Sequence, residues 1–452
     1  VNGVRKIVLT GLALLMLPLW FLRLFEDEIL YWDMARNFGG GVFHPRSSLA
    51  FLIALPLIKS SQDIYLQIML PRLLTAAITI ACSLLIYRIS KEFYGGKAAL
   101  ISTILFLLSF NTLRFGARYN LEPYGLFFIL LGLYFFIRNR FALSGVSVAL
   151  AFAAREMWLI FYPFYLIYVW KNKKEELSKT FLVSIIIIAG NIAWIYLLKT
   201  GWRPITESAA EYLINQNLKL ITLILRDWAE SLIAHFFTIL GFIYGIYKDE
   251  KHRNILLLTL PPLLTLNLIP GFILNGPFER YFLGPQALLS IVAGFGLIKL
   301  AEDVKYHMKF RLDSVKLIIV LLILQTVALS IAVYELSEIG ADSTYDFGFW
   351  YDSKIIDILN KQAEGELIAG TPHGVFVKNA TWVWTERKVE KAIMLDPDWF
   401  ITYKAWVEIK ETKNGNITIY YIGPYVLIHS HPRGYIDEVV TLSDFGFWKL
   451  RK

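Results

Sequence analysis

A single cysteine, Cys82, stands in 452 residues, so no internal disulfide is available and a disulfide-stapled secreted scaffold is excluded. Charge is also scarce. Asp, Glu, Lys and Arg make up 18% of the chain, against roughly 25% in soluble globular domains. No Walker-type or dinucleotide-type glycine loop is present. His44, His235, His429 and His431 show no zinc spacing either, since the His429-x-His431 pair alone is weak. No 20–50-residue period recurs, which excludes a repeat array. What fills the chain instead is apolar: 56% hydrophobic residues and 15% aromatics.

The apolar residues come in runs. A helix crossing about 30 Å of hydrocarbon at about 1.5 Å per residue needs about 20 such residues. Candidate spans are 4–25, 64–87, 98–115, 123–137, 141–154, 157–170, 180–198, 232–247, 255–269, 281–299 and 317–335. The first run is long and no small-residue cleavage site follows it, so it reads as a retained span rather than a signal peptide. The net charge of +8 then has a topological meaning. Arg88/Lys91/Lys97, Arg138/Arg140, Lys171/Lys173/Lys174/Lys179, Lys248/Lys251/Arg253 and Lys299/Lys305/Lys309/Arg311/Lys316 all fall on the face of Arg5 and Lys6. Basic loops gathered on one face mark the cytoplasm, so the N-terminus is cytoplasmic and the charge gives no reason to invoke nucleic acid.

Residues 337–452 differ in kind, with mixed charge, an Asn414-Gly415 turn signal and strand-like alternation at 366–371, 417–421 and 424–429. Ile355, Ile356, Ile358 and Leu359 predict a helix over 351–362. The expected architecture is an all-α polytopic membrane domain over 1–336, with about 11 transmembrane helices, followed by a small extracytoplasmic α/β domain over 337–452. Two Asn-x-Thr sequons, at Asn379 and Asn416, fall in that last domain.

Ionisable residues at a membrane edge are costly and mark function. Those of the outer face come from separate connections: Glu26, Asp27, Glu28 and Asp33; His44 and Arg46; Arg72; Arg114, Arg118 and Glu122; Arg155 and Glu156; Glu279 and Arg280. Arginines among carboxylates suit a site that holds an anionic headgroup while a carboxylate takes a proton. In the first loop, Ile29, Trp32, Met34 and Ala35 predict a short amphipathic helix, with Asp33 and Arg36 facing water.

Asp27-Glu28-Ile29-Leu30-Tyr31-Trp32-Asp33-Met34-Ala35-Arg36, set directly after the first span, resembles the first outer loop of the polyprenyl-phosphate-sugar glycosyltransferases. That GT-C superfamily includes the protein O-mannosyltransferases and the lipid A aminoarabinose transferases. The resemblance runs on through His44-Pro45-Arg46, Leu70-Pro71-Arg72-Leu73-Leu74, Phe115-Gly116-Ala117-Arg118-Tyr119-Asn120-Leu121-Glu122, Ala153-Ala154-Arg155 and Phe278-Glu279-Arg280-Tyr281-Phe282. It covers about residues 1–300, with Glu122 where the family usually has Asp and Arg155-Glu156 where it often has Lys-Gly.

The resemblance implies a GT-C fold and inverting transfer of one sugar from a polyprenyl (dolichyl-type) phosphate donor to an acceptor hydroxyl on a protein, glycan or glycolipid. Asp27 and Glu28 are then the catalytic candidates, with Asp27 the base. Glu122, Arg72, Arg118, Arg280, His44, Arg46, Arg155 and Tyr281 are the substrate-binding candidates. A divalent cation such as Mg or Mn is an open possibility, with Asp27, Glu28 and Glu122 as its candidate ligands. The alternatives are a lipid or sugar flippase, which would carry ionisable groups at mid-depth, and an oligosaccharide transferase of the same superfamily. The Trp-Trp-Asp hallmark of the latter is missing, since Trp382-Val383-Trp384 and Asp398-Trp399 do not reproduce it.

Overall fold

The computed structural model describes residues 2–22, 26–37, 49–197, 235–249, 258, 283–308, 313–336, 349–370, 373, 376–377, 380–384, 398–403, 407–409, 417–422, 425–430 and 440–442. These divide into two compact units: Val1–Leu19 with Met34–Ala332, and Trp20–Asp33 with Val333–Lys452. The boundary near 336 expected from composition therefore has a second part. Residues 20–33, which the hydropathy pattern assigns to the membrane domain, group by contact with the C-terminal unit.

The first unit is helical. Its elements are α1 (Asn2–Gly11), continued by a π turn Leu12–Met16, then α3 (Leu49–Lys59), α4 (Ile64–Leu107), α5 (Phe110–Phe115), α6 (Glu122–Ile137) and α7 (Phe141–Ala154). After a 3₁₀ turn at Glu156–Ile160 come α8 (Phe161–Asn172), α9 (Leu177–Leu197), α10 (Phe236–Lys248), α11 (Leu283–Met308) and α12 (Ser314–Leu336). Helix α2 (Glu26–Arg36) bridges the two units in sequence. Gly3–Trp20, Ile64–Leu107 and Lys174–Ala193 are long and apolar enough to cross a bilayer, and the protein is a membrane protein. Exposed Phe181, Leu182, Ile185, Ile186 and Ile192 on α9 are the surface expected where lipid rather than water is the neighbour.

One break follows the hydropathy reading, and two features depart from it. The spans predicted at 64–87 and 98–115 are two helices of one 44-residue run, α4, the second ending at Leu107 with α5 beyond it. The run is interrupted only at Gly95, whose φ of 84° and ψ of 176° lie outside any helix. A Cβ there would meet nothing within 4 Å, so backbone conformation rather than space calls for glycine. Helix α3 escapes a span count because it is 11 residues long and contains Pro56. Asp33, expected to face water, is buried, whereas Arg36 is exposed as its spacing predicts. The expected span at 255–269 lies outside the described residues apart from Leu258.

Helices meet through small residues, which let backbones approach where lipid offers no hydrophobic advantage to association. A Cβ on Gly241 or Gly245 of α10 would come within 2.5 or 2.8 Å of the Ala293 or Val292 carbonyl oxygen of α11. Gly294 of α11 faces Ala98 and Ser102 of α4 in the same way. Ser90 and Ser102 both donate to the Ile291 carbonyl, at 3.3 and 3.2 Å. Asp313 starts α12 by accepting from the Val315 N–H at 2.9 Å. That backbone bond holds its carboxyl below the usual carboxylate range.

In the second unit α13 (Phe349–Gln362) precedes β1 (Leu367–Gly370), β2 (Thr381–Trp384), β3 (Trp399–Tyr403), β4 (Val407–Ile409), β5 (Ile417–Ile422), β6 (Tyr425–Ser430) and β7 (Val440–Leu442). A five-stranded sheet has the order β2-β1-β3-β6-β5, parallel across β2-β1-β3 and antiparallel from β3 to β6 and β5. Strands β4 and β7 make a separate antiparallel pair. Ile355 and Leu359 of α13 pack on Ile368, Trp399, Ile401, Ile422 and Leu427, so the apolar stripe of the helix is what seats it on the sheet.

Candidate functional site

Two buried charged residues of the first unit stand at helix ends. Glu122 is the first residue of α6 and Arg155 directly follows the last residue of α7. They pair at 3.1 Å, Arg155 Nη2 to Glu122 Oε1, with side chains 7% and 5% exposed. Arg155 also donates from Nη1 to Glu156 Oε1 at 3.3 Å. An acid at a helix N-terminus and a cation at a helix C-terminus each complement the helix dipole, so this pair is favoured twice over.

Further contacts tie the start of α4 to the same place. The Thr75 and Tyr124 hydroxyls lie 3.2 Å apart, which joins α4 to the first turn of α6. Thr79 donates to the Gly116 carbonyl at 2.7 Å, which joins α4 to the turn before α6. One turn before Thr75, Arg72 is fully buried and donates to the Leu19 carbonyl at 3.4 Å. Arg114 and Arg118 flank Gly116, and both are buried. The Arg114 guanidinium lies 5.7 and 5.2 Å from the ring centres of Phe110 and Phe115. Four buried arginines thus come from α4, α5, the α5–α6 turn and the end of α7.

Residues that charge alone does not reveal complete the cluster. Asn111 Nδ2 and His235 Nε2 are 3.2 Å apart, both buried, linking α5 to the start of α10. Neutral Asn111 carries no signal in a search for ions, and His235 stands out in sequence only as a histidine without metal spacing. Trp158 is the other. A Cβ on Gly125 of α6 would sit 2.2 Å from Trp158 Cδ1 and 3.3 Å from Arg155 Cβ. A Cβ on Gly284 of α11 would sit 2.2 Å from the far edge of the same indole. The ring is wedged between two glycines, beside the residue that makes the ion pair.

The sequence candidates divide accordingly. Arg72, Arg118, Glu122 and Arg155 belong to this buried polar end of the first unit. Asp27 and Glu28 lie in the first turns of α2, where Glu28 is buried and the side chain of Asp27 is outside the described residues. His44, Arg46, Arg280 and Tyr281 also lie outside the described residues. Among the described residues no three His, Cys, Asp or Glu side chains gather to hold a metal. Glu122 and Glu156 are directed to Arg155 instead.

No protein-family model matches the chain. An uncharacterized protein of Aquifex aeolicus (strain VF5) is 24% identical over 253 residues, which are 50% of this chain and 60% of that protein. The chain therefore spans about 60% of the curated relative it matches. Among solved structures, ArnT from Cupriavidus metallidurans in the apo state superposes with a TM-score of 0.57 at 10% identity, covering 94% of this chain and 97% of that one. The same protein bound to undecaprenyl phosphate gives 0.55 at 9% identity, with the same coverage. The Archaeoglobus fulgidus oligosaccharyltransferase in complex with Zn and sulfate gives 0.57 at 14%, covering 89% of this chain and 68% of that one. At such identities the likeness establishes architecture: the chain has the fold of the GT-C glycosyltransferases.

Proposed function

We propose that this GT-C chain is an inverting glycosyltransferase, moving one sugar from a polyprenyl-phosphate donor to an acceptor hydroxyl at the outer membrane face. The observation that carries the reading is the set of four buried arginines, Arg72, Arg114, Arg118 and Arg155, drawn to one end of the helical unit. Guanidinium forks match phosphate oxygens, and cations held in a water-poor setting stabilise charge as it grows on a leaving group. The fold supports the same reading, since one protein that shares it has been solved with undecaprenyl phosphate bound.

In this mechanism the acceptor hydroxyl oxygen attacks the anomeric carbon from the side opposite the phosphate. The C–O bond to phosphate breaks as the new glycosidic bond forms, and the lipid phosphate leaves with the bonding pair. The hydroxyl proton passes to the Asp27 carboxylate, with Glu28 next to it on α2. Arg72, Arg118 and Arg280, with His44 and Arg46, receive the charge on phosphate, and Tyr281 borders the donor. Arg155 is kept in place by Glu122 and Glu156.

The test is incubation of the purified protein with labelled polyprenyl-phosphate sugars, a lipid-linked oligosaccharide and a panel of hydroxyl acceptors. Transfer from a monosaccharide donor is expected, with a loss of about 10²–10⁴-fold in Asp27→Asn. Wild-type turnover in that variant removes Asp27 as the base. Transfer from the oligosaccharide donor alone replaces this reading with the oligosaccharide one.

A further inference from the structure

The second unit contains, besides the C-terminal domain, the stretch that bears the proposed acids. Helix α2 carries Asp27 and Glu28 at one end and Trp32 one turn on, and residues through Asp33 group with 333–452. The link has a visible anchor. The Trp32 and Phe376 rings lie 4.8 Å apart between centres at 56°, and both are buried, 2% and 4% exposed. Tilted rings at that distance are a favourable aromatic pair. Glu28 and Trp32 are four residues apart on one helix, so they share a face, and both are buried.

Phe376 is itself held from both sides. Three residues before it, His373 Nε2 lies 3.0 Å from Asp352 Oδ1 on α13, in a pair 1% and 0% exposed. The next residue, Val377, packs into the core formed by Ile355, Leu359, Ala363, Ile368, Trp399 and Ile401. The sheet and α13 thus fix the residues on either side of Phe376, and Phe376 meets α2 at Trp32.

From this arrangement we infer that the C-terminal domain is the mount of the acid-bearing helix, with Phe376 a positioning residue that sets Asp27 and Glu28 through Trp32. This rests on the proposed transfer reaction only for its catalytic consequence; the mechanical part stands alone. A misplacement of about 1 Å at a reacting group costs on the order of a hundredfold in rate, so the contact governs turnover more than donor affinity.

The test uses the full-length protein in lipid nanodiscs. Phe376→Ala and Trp32→Ala are each expected to speed amide exchange in residues 28–33 at least tenfold while β3 and β6 keep their protection, showing the domain still folded. Turnover is expected to fall about a hundredfold with the donor KM within twofold, Phe376→Tyr is expected to restore it, and the double variant is expected to fall no further than either single one. Unchanged exchange in residues 28–33 overturns the mount, whether or not transfer is ever detected. Faster exchange with unchanged turnover, or losses that multiply in the double variant, overturns the positioning role. Should Phe376→Ala lose protection in β3 and β6, Trp32→Ala decides by the same criteria, because Trp32 is not part of that core.

Discussion

Replacing Arg155 with alanine leaves two carboxylates facing each other without the cation between them. Arg155 pairs with Glu122 at 3.1 Å and Glu156 at 3.3 Å, and the three side chains are 7%, 5% and 11% exposed. Breaking a buried pair by removing one partner costs about 3–5 kcal/mol, because the surviving charge stays buried. A surface pair would cost at most about 1 kcal/mol. The burial of all three groups selects the larger figure for Arg155→Ala. Glu122→Gln in the same background removes part of the stranded charge, so the double variant is expected to recover stability relative to Arg155→Ala, with a coupling of at least about 1.5 kcal/mol. Arg155→Lys should fall between wild type and alanine, since an ammonium is a point charge without a fork for two carboxylates. Equilibrium unfolding in mixed micelles, followed by tryptophan fluorescence, measures each value. A loss under about 1 kcal/mol for Arg155→Ala, or additive losses in the double variant, would refute the buried-pair argument.

Two other outcomes follow from the packing and the charge pattern. Gly284→Ala drives a Cβ to within 2.2 Å of the Trp158 ring and should destabilise by about 1–3 kcal/mol, against the usual small gain of alanine in a helix. Trp158→Leu in the same chain should relieve it, and a neutral Gly284→Ala would show that the indole is not wedged. Single cysteines at exposed Asn37 and Glu364 should react with an impermeant maleimide only from the outer side, and one at exposed Lys173 only from the cytoplasm. Buried Cys82 needs no removal for that experiment. Labelling of the first two from the cytoplasm would sink both the orientation and the proposed site.

How far the molecule is legible in its sequence depends on which force marks each residue. Long apolar runs are legible because crossing lipid demands length, and α9 falls where that demand predicts it. Helix α3 is hidden because 11 residues are too few to raise the same signal. The break in α4 at Gly95 is legible because it falls between the predicted spans 64–87 and 98–115, where Arg88, Lys91 and Lys97 interrupt the apolar run. At the candidate site, Arg72, Arg118, Glu122 and Arg155 stand out in the sequence because a charge in an apolar stretch is costly to keep, and all four are buried. Asn111 and Trp158 carry no such cost, and only packing reveals them. Asp33 misleads because helix periodicity assigns a face without saying what covers it. The Trp32–Phe376 contact joins residues most of the chain apart, and nothing local to either records it.

Where the ions sit along the helices separates the proposed transferase from a carrier. A transporter needs ionisable groups or broken helices near the midplane, where cargo crosses. Here Glu122 opens α6, Arg155 directly follows α7 and Arg114 lies in the last turn of α5, with Arg72 about two turns inside α4. Between the ends, α6 and α7 meet through Ile129, Leu130, Leu133, Val148, Ala149 and Phe152, an apolar contact in one buried core. In the proposed reaction a phosphate gripped near helix ends would stay at headgroup level while its isoprenoid tail remains in lipid. That suits a reaction on a lipid carrier better than passage of a polar solute, and the helix termini add to it, because an acid at an N-terminus and a cation at a C-terminus are stabilised without any ligand present.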